Sequence, residues 1–234
     1  MSVERLDKLL ASTGRWSRSE VKRLVREGRV LADGRIAASA EEKYDADSVS
    51  LTVDGEPVRL RRYVYIMLHK PAGVLSATED GRGKTVLDLL PTEYQKRGLF
   101  PVGRLDKDTE GLLLLTDDGA LAHDLLSPKK HVDKLYFARV EGALDDADRA
   151  AFEAGMTLGD GLHCLPAGLE TVAPDEALVT LREGKIHQIK RMFAARGKPV
   201  IYLKRLAMGP LTLDSALAPG EWRELTGAEE QMLK

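Results

Sequence analysis

Four consecutive leucines, Leu112–Leu115, constrain the fold of this chain more than any other feature. An uninterrupted apolar run of this length suits a buried strand better than an amphipathic helix, which would need polar residues at intervals. Its flanks agree, because Gly111 precedes it and the turn dipeptide Asp118-Gly119 closes it. Leu112–Thr116 is therefore expected to be a core strand, with Arg104-Leu105-Asp106 in a loop before it. A loop braced by a core strand is a common platform for a catalytic carboxylate. The whole segment, FPVGRLDKDTEGLLLLTDDG over residues 100–119, carries two acidic pairs, Asp106/Asp108 and Asp117/Asp118.

Several chemistries use such acidic loops. Asp106, Asp108, Glu110, Gly111 and Asp117 fall at positions one, three, five, six and twelve of a calcium-binding EF-hand loop. Glu at five is unusual, Asp at twelve is short for a bidentate ligand, and Pro101 and Gly103 stand where an entering helix belongs. An aspartyl-phosphate phosphatase needs Thr four residues after its first Asp; here Thr109 comes three after Asp106, and Gly103-Arg104 breaks any preceding strand. The plainest alternative is an acidic surface loop beside a core strand. The succession Gly-Arg-Leu-Asp, Asp-Thr, Gly-Leu-Leu-Leu-Leu-Thr resembles the catalytic motif of the RluA/RsuA group of pseudouridine synthases. That resemblance implies that Asp106 is the nucleophile.

Composition sets the outer limits. The chain has 234 residues, 43% of them apolar, enough for one large domain or a small and a medium one. No apolar stretch approaches the ~18 residues of a membrane span, and the charged N-terminus has no signal-peptide core. A single cysteine, Cys164, forms no internal disulfide and fits a reducing cytoplasm, the expected location. Net charge is −2, but residues 1–35 carry nine Lys/Arg and five Asp/Glu, net +4, which leaves −6 for the rest. A basic head on an acidic body suggests a head that meets a polyanion.

In that head, residues 4–13 read as a helix with Leu6, Leu9 and Leu10 inward, ended by Gly14. Ser17 or Ser19 can cap a second helix running to about Glu27. Asp33-Gly34 and Asp54-Gly55 mark two short hairpins. The run RLDKLLASTGRWSRSEVKRLVREGRVLADGRI resembles the S4 RNA-binding domain. The resemblance makes Arg15, Arg18, Lys22, Arg23 and Arg26 an RNA-facing stripe whose phosphate contacts would weaken with salt; the plain alternative is a solvated helix face. The expected division is residues 1–58 for this domain, 59–62 for a linker and 63–234 for a catalytic domain.

The later chain reads as an α+β domain. Val64–Leu68 is a strand leading into the turn His69-Lys70-Pro71, where the resembled group has Asn-Lys-Pro. Residues 76–84 form a polar, Gly-rich loop, either a lip facing RNA or a plain surface loop, and Val86–Leu90 is a helical turn stopped by Pro91. Ala120–Leu126 is a helix, followed by a basic cluster of Lys129, Lys130, His131 and Lys134 and a strand over 135–140. Lys134 and Tyr136 match the Lys-x-Tyr that opens this strand in the group, where the Tyr lines the active site. Asp145–Gly155 is a helix, 156–176 an excursion of short strands, and Ala177–Leu181 a strand. His163-Cys164 lacks further ligands at zinc spacing, and Cys164 has no visible catalytic partners. The segment EGKIHQIKRMF, 183–193, reads as a turn and then a basic helix with Ile189, Met192 and Phe193 inward. It is similar to the second hallmark of the RsuA branch, in which the cation at Lys190 pairs with the catalytic Asp. RLAMGPLTLD and the closing LAPGEWRELT extend the likeness across the chain.

The resemblance implies isomerisation of a ribosomal-RNA uridine, with small-subunit 16S RNA favoured, large-subunit 23S RNA second, and a non-catalytic ribosome-assembly factor as the rival of another class. The base leaves ribose at N1, turns and rejoins through C5, which requires the nucleotide to be flipped out. Asp106 would attack C1′ or base C6, or lead to an elimination; the residues do not distinguish these. Lys190 would supply the cation that keeps the nucleophile ionised. Tyr136 would lie under the base, and Arg104 would meet phosphate or fill the space the base vacates. Lys129, Lys130, Lys134, His187, Gln188 and Arg191 complete the residues expected to meet RNA. No metal or organic cofactor is demanded. The expected partner is ribosomal RNA or a small-subunit assembly intermediate, bound by a monomer away from membranes.

Overall fold

The computed structural model describes residues 3–233. The chain divides into two compact units, one running to Val64 and including Leu90–Leu99, the other holding Tyr65–Leu89 and everything from Phe100 onward.

The first unit opens with β1 (Val3–Arg5), α1 (Leu6–Ala11) and α2 (Arg18–Arg26). It continues through β2 (Val30–Ala32), β3 (Arg35–Ile36), β4 (Lys43–Asp45), β5 (Leu51–Val53) and β6 (Glu56–Val58), and takes in α3 (Thr92–Lys96). Helix α1 is shorter than the 4–13 expected because Val3–Arg5 pairs with β4 instead of joining the helix. Ser17 caps α2 in a reciprocal box with Glu20, which satisfies donors the helix itself cannot. Leu6, Leu9 and Leu10 pack on Val21, Leu24 and Val25 and on the inward residues of β2 and β5. Both hairpins form as Asp-Gly turns with both residues at positive φ: 49° and 76° at Asp33-Gly34, 56° and 82° at Asp54-Gly55. Arg97 donates to the carbonyls of Ser12 (2.9 Å) and Arg61 (2.7 Å), which fastens the Leu90–Leu99 segment into this unit.

The second unit is built on a nine-stranded sheet. Its chain runs β7 (Tyr65–Lys70), β8 (Phe100–Pro101), β9 (Glu110–Thr116), α4 (Gly119–Leu126), β10 (Lys134–Val140) and α5 (Asp146–Ala154). A small ribbon of β11 (Met156–Thr157) and β12 (His163–Cys164) follows, then β13 (Gly168–Ala173), β14 (Glu176–Leu181) and α6 (Gln188–Ala195). It closes with β15 (Val200–Met208), β16 (Leu211–Thr212), β17 (Trp222–Glu224) and α7 (Gly227–Met232). The strand order is β13-β14-β10-β15-β9-β7-β17, with β16 on β15 and β8 on β9. The pairings among these described strands are antiparallel except that of β9 with β15.

The leucine run is the buried strand its sequence demands. Leu112–Leu115 are all fully buried in β9, beside an equally buried β7. Asp118-Gly119, legible as a turn, does more: Asp118 caps α4 by accepting from the Leu121 N–H and also accepts from the Tyr65 hydroxyl at 2.8 Å. Gly111 is required by geometry. Its φ is +107°, and a Cβ there would stand 2.2 Å from the Arg205 carbonyl oxygen on β15. Among the described residues, no helix is long and apolar enough to cross a membrane.

Candidate active site

The acidic loop is braced from below. Asp106 opens a β-turn closed by the Thr109 N–H donating to the Asp106 carbonyl at 3.1 Å. The Ser76 hydroxyl donates to the Leu105 carbonyl (2.9 Å) and accepts from the Leu105 N–H (3.1 Å). The Gly73 N–H donates to the Lys107 carbonyl at 2.7 Å. The buried Lys70 ammonium donates to the carbonyls of Pro71 (3.0 Å), Lys107 (3.2 Å) and Thr109 (2.8 Å). His69, beside it in β7, is also buried, its Nδ1 at 2.7 Å from the Leu217 carbonyl. That carbonyl can only accept, so Nδ1 carries the proton. The Lys-Pro end of β7 is thus the platform on which the Asp106 turn rests.

Helix α6 brings the partner. The Lys190 ammonium stands 3.0 Å from Asp106 Oδ2 and 2.5 Å from Asp108 Oδ1. Burial works against the charged form of Lys190, but hydrogen bonds to Asp108 and Asp106 outweigh it and raise its pKa above the ordinary lysine value. The Lys190 hydrogen bond likewise holds the Asp108 carboxyl below the usual range. His187 Nε2 lies 3.5 Å from Asp106 Oδ1, and its backbone, at φ 51°, turns the chain into α6. Arg104, Asp106, Thr109, Tyr136, His187 and Ile189 are among the residues lining a cleft here. It shares Arg104, Tyr136, Gly184 and Lys185 with a deeper hollow of about 620 Å³. That volume lies in the range of small-ligand sites.

Asp106 on its braced turn thus meets Lys190 of α6, and Tyr136 lines the same cleft as Asp106. Comparison with known proteins shows the family. Residues 64–195 match the RNA pseudouridylate synthase family and residues 4–49 the S4 domain. The chain belongs to the RNA pseudouridylate synthase family. It is 51% identical to the uncharacterized RNA pseudouridine synthase YtzG of Bacillus subtilis, covering 98% of each chain. It is 41% identical to ribosomal small subunit pseudouridine synthase A of Vibrio cholerae, covering 96% of this chain and 97% of that one. A crystal structure of a pseudouridylate synthase superposes with a TM-score of 0.70 at 33% identity, over 99% of this chain and all of the other.

The synthase places its remaining motif residues unevenly. Arg104 is exposed at the cleft, while Tyr136 is buried in its wall. Gln188 lines the cleft, but its amide is engaged, donating to Glu183 Oε1 (2.6 Å) and accepting from the Lys185 N–H (3.1 Å). Arg191 is turned to Asp160, 2.5 Å away on the turn between β11 and β12. Lys129 and Lys130 are exposed, and Lys130 lies 3.5 Å from Asp124. Lys134 departs from the surface cluster expected of it: it is only 8% exposed, on the Tyr136 face of β10. In the first unit Arg15, Arg18, Lys22, Arg23 and Arg26 are all exposed, and Arg15 covers the Trp16 ring at 4.4 Å. Glu110, a ligand in the calcium reading, instead accepts from the Tyr202 hydroxyl at 2.8 Å. Among the described residues no group of three acidic, His or Cys side chains converges as a metal site.

Three residues of the synthase site were given no part in its chemistry from sequence. Asp108, read as one of an acidic pair and as a position in the calcium loop, shares Lys190 with Asp106. Lys70 and Arg205 look like surface cations in sequence, yet both are buried. Burial pushes the Lys70 pKa down to about 8, against the opposing pull of Asp108, Asp106 and Glu110. Between about pH 8 and its ordinary value of 10.5, the unfolded chain therefore binds more protons at this site than the folded one. Stability attributable to Lys70 rises with pH across that window and is lost as pH falls through about 8. Urea unfolding of the wild type and of Lys70→Met from pH 7 to 10 is expected to show the wild type gaining on the variant, by at most ~1.4 kcal/mol per pH unit. Parallel pH curves would refute the shift.

Proposed function

We propose that the synthase isomerises a specific uridine of ribosomal RNA, on 16S RNA in the small subunit, with Asp106 as nucleophile on a flipped-out nucleotide. The observation that carries this reading is the meeting of the Asp106 carboxylate and the Lys190 ammonium at 3.0 Å, with Tyr136 in the wall of the cleft that Asp106 lines. Lys190 orients the carboxylate and balances its charge. A base drawn into the hollow passes Tyr136, the side chain suited to lie under its ring and to help take the C5 proton. Arg104, exposed at the rim, is suited to the backbone phosphate or to the space the flipped base leaves behind. His187 adds a second nitrogen near Asp106, and the exposed Lys129 and Lys130 are suited to RNA phosphates.

Residues 1–58 act as the RNA-gripping head, joined through 59–62. Its exposed Arg18, Lys22 and Arg26 follow one another at helical spacing on one face of α2, a row suited to phosphates. The choice of small-subunit RNA rests on relatives named for that subunit that share about 40% identity over nearly the whole chain. The test is tritium release from C5-labelled uridine in 16S and 23S transcripts and in small-subunit assembly intermediates. Release at a single position of 16S RNA is expected. Release from 23S RNA alone would move the substrate to the large subunit, and no release from any of them would favour a binding or assembly role.

A further inference from the structure

Two cations lie in the hollow with no counter-charge among the described residues. Arg205 on β15 stands opposite Tyr136 of β10 in the sheet register, and Lys134 lies two residues before Tyr136 on the same buried face. Both line the hollow. Arg205 is 2% exposed. Its Nε donates to the Leu112 carbonyl at 2.8 Å, while its Nη2 is sealed from solvent with no acceptor among the described residues. Lys134 is 8% exposed and donates to the Val132 carbonyl at 3.0 Å. Burial pushes the Lys134 pKa down, and the like charge of Arg205 adds to that.

The carboxylates within reach are spoken for. Asp133, which alone favours the charged form of Lys134, is ion-paired with Arg182 at 2.9 Å. Glu183, on the wall of the hollow, accepts from the Gln188 amide and the Leu165 N–H and lies 3.1 Å from Lys185. Buried cations are ordinarily paired, because an uncompensated charge away from water is costly. A guanidinium and an ammonium together at the base of an open hollow present a fork and a point charge, the donor set suited to a phosphate.

We propose that Arg205 and Lys134 form a phosphate-binding floor in this hollow, which seats a backbone phosphate of the RNA strand carrying the target uridine. This rests on the RNA-isomerase reading but not on the identity of the nucleophile. The phosphate supplies the counter-charge for Arg205 and Lys134, so the strand is held from inside the hollow while Arg104, which also lines it, acts from the exposed side. The floor is kept unpaired in the free enzyme, and the energy of pairing it is released only when RNA enters.

The test is displacement of a bound 16S transcript from the full-length protein by uridine 5′-monophosphate and by uridine, a binding readout that needs no turnover. In the wild type the monophosphate is expected to compete about 10- to 100-fold better than uridine, the range for hydrogen bonds to charged groups. In Arg205→Met and in Lys134→Met that preference should largely disappear while uridine competes as before. The Asp106→Asn protein should keep the full preference, which separates this proposal from the assignment of the nucleophile. A merely structural Arg205 would instead give a variant with a lowered melting temperature and an unchanged preference. Equal competition by the two compounds in the wild type, or a wild-type preference surviving in the folded Lys134→Met protein, would overturn the proposal. Equal competition would leave the base itself as the occupant.

Discussion

Asp106→Asn is expected to lower tritium release from C5-labelled uridine by on the order of 10⁵-fold, the scale seen when a covalent nucleophile is removed. Asn has the shape of Asp, so the turn closed by Thr109 and the supports from Ser76 and Lys70 are untouched. Lys190 keeps its 2.5 Å pairing with Asp108, so α6 should stay seated. RNA affinity should remain within about threefold, because affinity for a polyanion comes chiefly from phosphate contacts elsewhere. The measurement pairs single-turnover tritium release with filter binding at fixed salt. Wild-type turnover in the variant would remove Asp106 from the chemistry, and a parallel loss of binding would make it a substrate-binding group instead.

Gly111→Ala is expected to cost about 3–5 kcal/mol of stability, the range of severe backbone and packing defects. Two costs add. The residue sits at φ +107°, where a side chain is strained, and the new Cβ meets the Arg205 carbonyl oxygen at 2.2 Å and its amide nitrogen at 2.6 Å. Those atoms are backbone and cannot rotate away. The parallel pairing of β9 with β15 runs through Lys204–Glu110 and Arg205–Gly111, so relief would have to open that contact. The turn bearing Asp106 feeds directly into this strand, and turnover should fall with stability. Gly119→Ala is the control: its Cβ would have nothing within 4 Å, and it opens a helix, where Ala is favoured. Urea midpoints of the two variants read the difference. A wild-type midpoint for Gly111→Ala would mean that the two strands do not approach so closely.

The sequence by itself determined the local pieces. The leucine run read as buried, the Asp-Gly pairs as turns, and Ser17 or Ser19 as the start of a helix. These signals act over a few residues, and the structure repeats them with small shifts in boundary. The motif residues Asp106, Tyr136 and Lys190 were equally legible, because each lies in a short run whose residue types resemble a known catalytic pattern. Tertiary structure decided what those pieces meet. The contact of Lys190 with both Asp106 and Asp108 depends on strand order and on a glycine thin enough to let β9 lie against β15. Lys70 and Arg205 carry no sign of burial in the sequence, and Lys134, though part of the Lys-x-Tyr match, read as one of an exposed basic cluster. Each became buried because strand alternation and sheet neighbours placed it on a covered face. Burial is a property of what packs from elsewhere in the chain, and it turns an unremarkable lysine or arginine into a brace or a candidate phosphate seat.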